Sequence, residues 1–198
     1  MCLLMFSLLH IGNVGNSNKP FIVSFNKPGE LLLAVPPGAS PTEAFICERF
    51  MLAVDLMQKH GVPASIILAQ AVIESDRGRS KLCKETNNHF GVKGRNDCDN
   101  DDHVWKNDRG VWSKFIVYSS PLASFEDHSK RLCSGRYRFL RCELGKDWEA
   151  WCDSLQRKGY AVDKQYASKL KQIIRKHRLY EYDNYATQPD IGDASWFP

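Results

Sequence analysis

The sequence predicts an α+β chain, mostly helical, whose helices are interrupted by a small β lobe. Three observations carry this. The pairs Ser40-Pro41 and Ser120-Pro121 each place a good N-cap before a proline suited to the first helical position. Between them, Ile66 to Ile73 is apolar all round except for Gln70, the pattern of a helix at the centre of a bundle. Residues 91–118 then abandon helical spacing for β-rich runs around the turn Asn107-Asp108-Arg109-Gly110.

Taken in order, residues 1–40 read as a tail. Cys2 to Ile11 is apolar, but no Lys or Arg precedes it and no small-residue cleavage site follows, so it reads as a degenerate signal or a simple extension. Residues 12–40 read as a linker or arm with one strand-like run, Glu30 to Val35. One folded domain is expected over 41–183. Ser40-Pro41-Thr42-Glu43 is a capping box, Phe45, Ile46, Phe50, Ala53, Val54 and Met57 follow at helical spacing, and Gly61 ends the helix. A buried helix runs from Pro63 to Glu74. After the β lobe, helices are expected from Ser120 to about Leu132, around 147–158 and around 164–178. Residues 184–198 read as a polar tail.

Composition excludes several classes. Of 198 residues, 43% are hydrophobic and 25% charged, enough for a packed core and too apolar for a disordered chain. No apolar run reaches the roughly 18 residues of a membrane span. The net charge of +4 is modest, so a dedicated nucleic-acid binder is not expected. Seven cysteines without a CxxC pair argue against structural zinc; they read as small buried residues with one or two disulfides. The spacing Asp97-x-Asp99-x-Asp101 imitates a calcium loop, but Asp102 stands where that loop needs glycine, so no metal is expected. No cofactor is implied, and a monomer is expected.

Glu74 is the leading chemical candidate. It closes an apolar helix and faces the negative end of the helix dipole, and both disfavour ionisation. A carboxyl kept protonated towards neutrality is what a general acid requires. The competing expectation is a Glu that swings into solvent or pairs with Arg77 or Arg79.

Four separated motifs add to this: Glu74-Ser75-x-x-Gly78-x-Ser80, Asn87-Asn88-His89-Phe90-Gly91, Asp127-His128 with Arg136-Tyr137, and Gly159-Tyr160-Ala161 through Tyr166-Ala167. In this order and spacing the chain resembles the glucosaminidase domain of peptidoglycan hydrolases, glycoside hydrolase family 73, over about residues 41–183. The resemblance implies a lysozyme-like fold, a helical lobe and a β-hairpin lobe around a substrate groove. It implies cleavage of β-1,4 bonds after N-acetylglucosamine in peptidoglycan strands, in the cell wall or periplasm. Carried over, Glu74 matches the catalytic acid and Tyr160 a groove tyrosine, with Tyr166 as a core member of the same motif. Val162 departs from the threonine usual in the family.

A second acid is left open among Asp101, Asp102 and Asp108; without one, the substrate's own 2-acetamido oxygen is the alternative at the anomeric carbon. Trp105 and Trp112, with Asn88 and Phe90, are the candidate substrate contacts, and one of Trp105, Trp112 and Phe115 is expected to stack on a sugar. His89 is expected to fix its loop, and Asp127 and His128 to fix the fold through polar contacts. The basic residues Lys169, Lys171, Arg175, Lys176 and Arg178 read as a solvated helix face. A muramidase, a lytic transglycosylase and a non-catalytic wall-binding domain remain the rival readings.

Overall fold

The order of elements in the computed structural model follows from its caps and glycines, over the described residues 23–27, 30–33, 35, 37–94, 102–108 and 110–185. Strands β1 (Val23–Lys27) and β2 (Glu30–Leu33) pair antiparallel, with Val23 opposite Leu33. The expected run at Glu30 is therefore half of a hairpin whose first strand the composition did not reveal. The expected termini before 23 and after 185 lie outside the described residues.

Helix α1 (Pro41–His60) starts at the predicted capping box: Ser40 Oγ accepts from Glu43 N, and Glu43 Oε2 accepts from Ser40 N at 2.7 Å. Gly61, at φ 74°, turns the chain out of the helix. Helix α2 (Ala64–Glu74) is buried from Ala64 to Val72. Its first turn has no cap from its own N-terminal neighbour, Pro63. Asp183, from the 3-10 turn Leu179–Asn184, supplies one across the fold: its carboxylate accepts from Ser65 N at 2.8 Å and Ser65 Oγ at 2.7 Å. Orphan amides at a helix start need such a partner when buried.

Helix α3 (Lys81–Thr86) is capped by Ser80, whose hydroxyl accepts from Cys83 N. The β lobe is the hairpin β3 (His103–Asp108) and β4 (Val111–Ile116), in the register Trp105–Lys114 and Asn107–Trp112. Residues 92–94 run along the other edge of β4: Ile116 N donates to Val92 O and Gly94 N to Lys114 O, with Lys93 opposite Phe115. Helices α4 (Pro121–Leu132), α5 (Leu140–Leu144), α6 (Trp148–Arg157) and α7 (Tyr166–Lys176) complete the chain. Helix α2 lies against α1, α6, α7 and the final 3-10 turn, so the core is built around it. Among the described residues no helix is long and apolar enough to cross a membrane.

Two expectations need correction. Cys47, Cys83, Cys133, Cys142 and Cys152 are all free thiols, so the expected disulfides do not form among the described residues. Burial of Cys47, Cys83 and Cys152 fits their reading as small hydrophobes. The basic face of α7 is not simply solvated, because Lys171 pairs with Asp153 at 2.7 Å and Arg175 with Glu149 at 2.8 Å, tying α7 to α6.

Candidate active site

Glu74 is the last residue of α2 and is half-buried. The chain leaves it through a turn that is costly to form. Asp76, Arg77 and Gly78 have φ of 48°, 60° and 73°, a left-handed run that disfavours side chains with a Cβ. Ser75 holds this turn: its hydroxyl donates to Ala71 O at 2.6 Å and accepts from Gly78 N at 2.7 Å. A Cβ at Gly78 would lie 3.3 Å from the Phe45 ring, a tight approach added to a left-handed backbone that favours glycine. Arg77 and Arg79 both turn to Asp76. The expectation that they pair with Glu74 is not met.

The Glu74 carboxyl instead meets a tyrosine. Tyr166 Oη donates to Glu74 Oε1 at 2.7 Å and accepts from Gln70 Nε2 at 3.0 Å. Gln70 and Glu74 are four residues apart on α2 and so share the face that meets α7. Burial pushes the Glu74 carboxyl above the usual carboxylate range, and the Tyr166 hydrogen bond opposes part of that rise. The direction expected for Glu74 is met; the larger cause is desolvation.

Tyr166 was expected only in the core. It is buried, yet its hydroxyl is the hydrogen-bond partner of Glu74. Tyr160 lies over it, the rings stacked at 5.4 Å between centroids and 18° between planes. Burial and the nearby Glu74 charge push the Tyr160 hydroxyl well above its ordinary range, so it stays protonated. His128 meets Tyr160 edge-on at 6.3 Å and stacks on Phe90 at 3.7 Å. Tyr137 leans on Tyr160 at 6.0 Å, and Arg136 Nη1 donates to Lys158 O, bracing the turn before Gly159. Four motifs far apart in sequence thus converge on one stack of rings beside Glu74.

Several expected roles change with this geometry. Asn88 is buried and its amide is engaged with backbone: Nδ2 donates to Val92 O and Ile116 O, and Oδ1 accepts from Val92 N, each at 2.9 Å. It holds the base of the hairpin and is too buried to meet a sugar. Phe90 is buried between His128 and Phe125, so it too is a packing residue rather than a substrate contact. Phe115 is buried in the lobe. His89 fixes its loop as expected, its N–H donating to Ser124 Oγ and its Nδ1 lying 3.4 Å from Cys83 Sγ. Asp127 makes the expected polar contacts with Tyr118 and Arg131, but His128 acts by stacking, neither ring nitrogen having a hydrogen-bond partner among the described residues.

Trp105 and Trp112 are 54% and 66% exposed. The register puts both on one face of the hairpin, diagonal to each other. Asp108 is on the opposite face, where Lys93 Nζ donates to its carboxylate at 2.7 Å. Asp102 is exposed just before β3, its carbonyl accepting from Val117 N. Asp97, Asp99 and Asp101 lie outside the described residues. Among the described residues no group of His, Cys, Asp and Glu is placed to hold a metal ion.

The profile of the glucosaminidase family, described as mannosyl-glycoprotein endo-β-N-acetylglucosaminidase, matches residues 51–179, a segment that holds Glu74 and the whole ring stack. The chain belongs to the glucosaminidase family. Other members are similar over most of the chain. The exo-glucosaminidase LytG of Bacillus subtilis is 38% identical over 139 residues, covering 65% of this chain and 49% of LytG. The autolysin of Enterococcus faecalis is 30% identical over 181 residues, covering 83% of this chain and 24% of the autolysin. The chain thus spans half or less of these curated relatives. Among solved structures, the catalytic domain of the autolysin Auto from Listeria monocytogenes superposes with a TM-score of 0.61 at 30% identity, covering 73% of this chain and 88% of that one. Val162 is 88% exposed, so its departure from threonine costs no packing.

Proposed function

We propose that this glucosaminidase is a peptidoglycan hydrolase of the cell envelope, an endo-β-N-acetylglucosaminidase cutting β-1,4 bonds after N-acetylglucosamine with Glu74 as general acid. The observation that carries this is a half-buried carboxyl at the end of α2, gripped by Tyr166 and held towards its neutral form. The names of its relatives, exo-glucosaminidase and autolysin, support the substrate class. The Glu74 proton passes to the glycosidic oxygen as the C1–O bond breaks, its electron pair going to the leaving sugar.

Two routes complete the reaction at C1. A hairpin carboxylate, Asp108 or Asp102, activates water, or the 2-acetamido oxygen of the substrate attacks, with the Tyr160 hydroxyl steadying the charge that develops. Asp108→Asn and Asp102→Asn separate them, since loss of turnover on one assigns the water-activating base. Trp105 and Trp112 offer their shared exposed face for sugar stacking. The enzyme works as a monomer, without cofactor or nucleic acid.

The deciding experiment digests purified peptidoglycan and analyses borohydride-reduced fragments by mass spectrometry. Reduced N-acetylglucosamine ends are expected. Reduced N-acetylmuramic ends would instead make it a muramidase, and anhydro ends a lytic transglycosylase. Binding to peptidoglycan without release of any ends would make it a wall-binding domain.

A further inference from the structure

Gln70 is the one polar residue in the apolar run of α2, and it is fully buried. Its Nε2 donates to Tyr166, while its Oε1 has no hydrogen-bond partner among the described residues. A buried, unpartnered carbonyl is destabilising, and an apolar side chain of similar volume would avoid that cost. Packing therefore does not explain Gln70; its one hydrogen bond does.

A tyrosine hydroxyl has one proton to give, and that proton settles according to what fills the oxygen's acceptor side. Here the Gln70 N–H occupies that side, at 3.0 Å, and the Tyr166 proton points at Glu74 Oε1, at 2.7 Å. An oxygen already accepting from Tyr166 in the core is a poor place for the carboxyl proton. The other oxygen, Oε2, has no protein hydrogen bond among the described residues, on a residue that is only half-buried. We propose that Gln70 and Tyr166 form a proton-direction lock, in which the amide turns the tyrosine proton onto Oε1 and thereby confines the acidic proton of Glu74 to Oε2.

The inference rests on the reading of Glu74 as general acid and says which of its oxygens is the donor. The Oε2–H proton goes to the leaving glycosidic oxygen, and Oε1 keeps the Tyr166 hydrogen bond as the carboxyl becomes a carboxylate. The charge then forms against a donor already in place, so no reorganisation is needed at that moment. Turned over, the Gln70 amide would accept from Tyr166, and neutral Glu74 would then donate inward through Oε1, away from substrate. Gln70 is thus a positioning residue that acts through Tyr166 and touches no sugar.

Gln70→Met keeps the volume and removes the amide. Hydrolysis of peptidoglycan by this variant should lose about tenfold or more in kcat, a part of the full general-acid contribution, with KM nearly unchanged. Its melting temperature should not fall, because the unpartnered carbonyl goes too. Tyr166→Phe should lose more, and the double variant no more than Tyr166→Phe alone, as expected of groups acting in series. Carbon-13 titration of the Glu74 carboxyl should show a higher pKa in both single variants, because a donor to the ionised form is weakened or lost. Wild-type kcat with an unmoved Glu74 titration in Gln70→Met would overturn the lock, as would losses that simply add in the double variant. If the wild-type protein released no saccharide ends, the glycosidase reading would fall, while the titration would still decide whether Gln70 and Tyr166 govern the Glu74 proton.

Discussion

Replacing Glu74 by Gln exchanges one carboxyl oxygen for an amide nitrogen and changes almost no volume. The amide oxygen can still accept from Tyr166, whose hydroxyl is 2.7 Å away, but the group no longer carries a transferable proton. Hydrolysis should fall on the order of 10²-fold or more with the melting temperature unchanged. In the wild type, burial raises the carboxyl's pKa, so it remains a competent acid to higher pH than a free Glu. The kcat/KM profile should fall as pH rises through that raised value, and a rate still climbing in alkali would remove Glu74 from the acid's role. Tyr160→Phe tests the neighbouring hydroxyl. Its ring stacking on Tyr166 survives, so stability should hardly move, while turnover should drop with little change in affinity if the hydroxyl steadies transition-state charge. Measuring unfolding and turnover in parallel separates that from a packing role, in which stability falls and activity per folded molecule persists. At this scale Glu74 was legible because an acid after an apolar run stands out in the sequence. Tyr166 was not, because spacing marks it as core, and it is core; a hydroxyl on a core ring can still reach the end of the next helix.

The elements that were legible are those with both a cap and a stop. Ser40, Gly61 and Ser120 bound α1 and α4 where the sequence placed them. Helices α3 and α5, six and five residues long, are shorter than the two turns that a 3.6-residue period needs to show itself. The hairpin was legible as strands but its anchor was not, since Asn88, expected to touch substrate, is instead buried under three hydrogen bonds to backbone. Asn88→Ala would leave the half-buried Val92 N–H without its acceptor and detach residues 92–94 from the end of β4. The expected cost is about 2 kcal/mol, from three lost hydrogen bonds of which water replaces only part. Denaturant unfolding should show that loss, and amide exchange should show Val92 and Gly94 opening first. Unchanged exchange across 92–94 would mean that the backbone pairing alone holds the hairpin base.

Across the whole molecule, buried titratable groups pull stability in opposite directions with pH. His89 is lowered from 6.5 to about 4 and His128 to about 3, mainly by burial, with Arg49 beside the first and Arg131 beside the second adding repulsion. Between those values and 6.5 the unfolded chain binds protons that the folded one refuses, so stability falls as pH drops through that window. Asp183 does the reverse. Burial raises it from 3.8 to about 6 against the Ser65 hydrogen bonds, so the folded chain holds the extra proton, and stability rises as pH falls from 6 towards 4. Glu74, also raised, acts in the same sense as Asp183. Each pH unit of displacement is worth about 1.4 kcal/mol, and the two histidines are displaced further in sum than Asp183, so acid should win as a destabiliser. Melting temperature is therefore expected to fall between pH 7 and pH 4. His128→Met removes the larger contributor while keeping an apolar side chain against Phe90. Whatever its absolute stability at pH 7, its melting temperature should depend less steeply on pH than the wild type's. Equal slopes would show that the His128 ring takes up its proton without opening the fold, through a partner or a local movement around the Phe90 and Tyr160 rings.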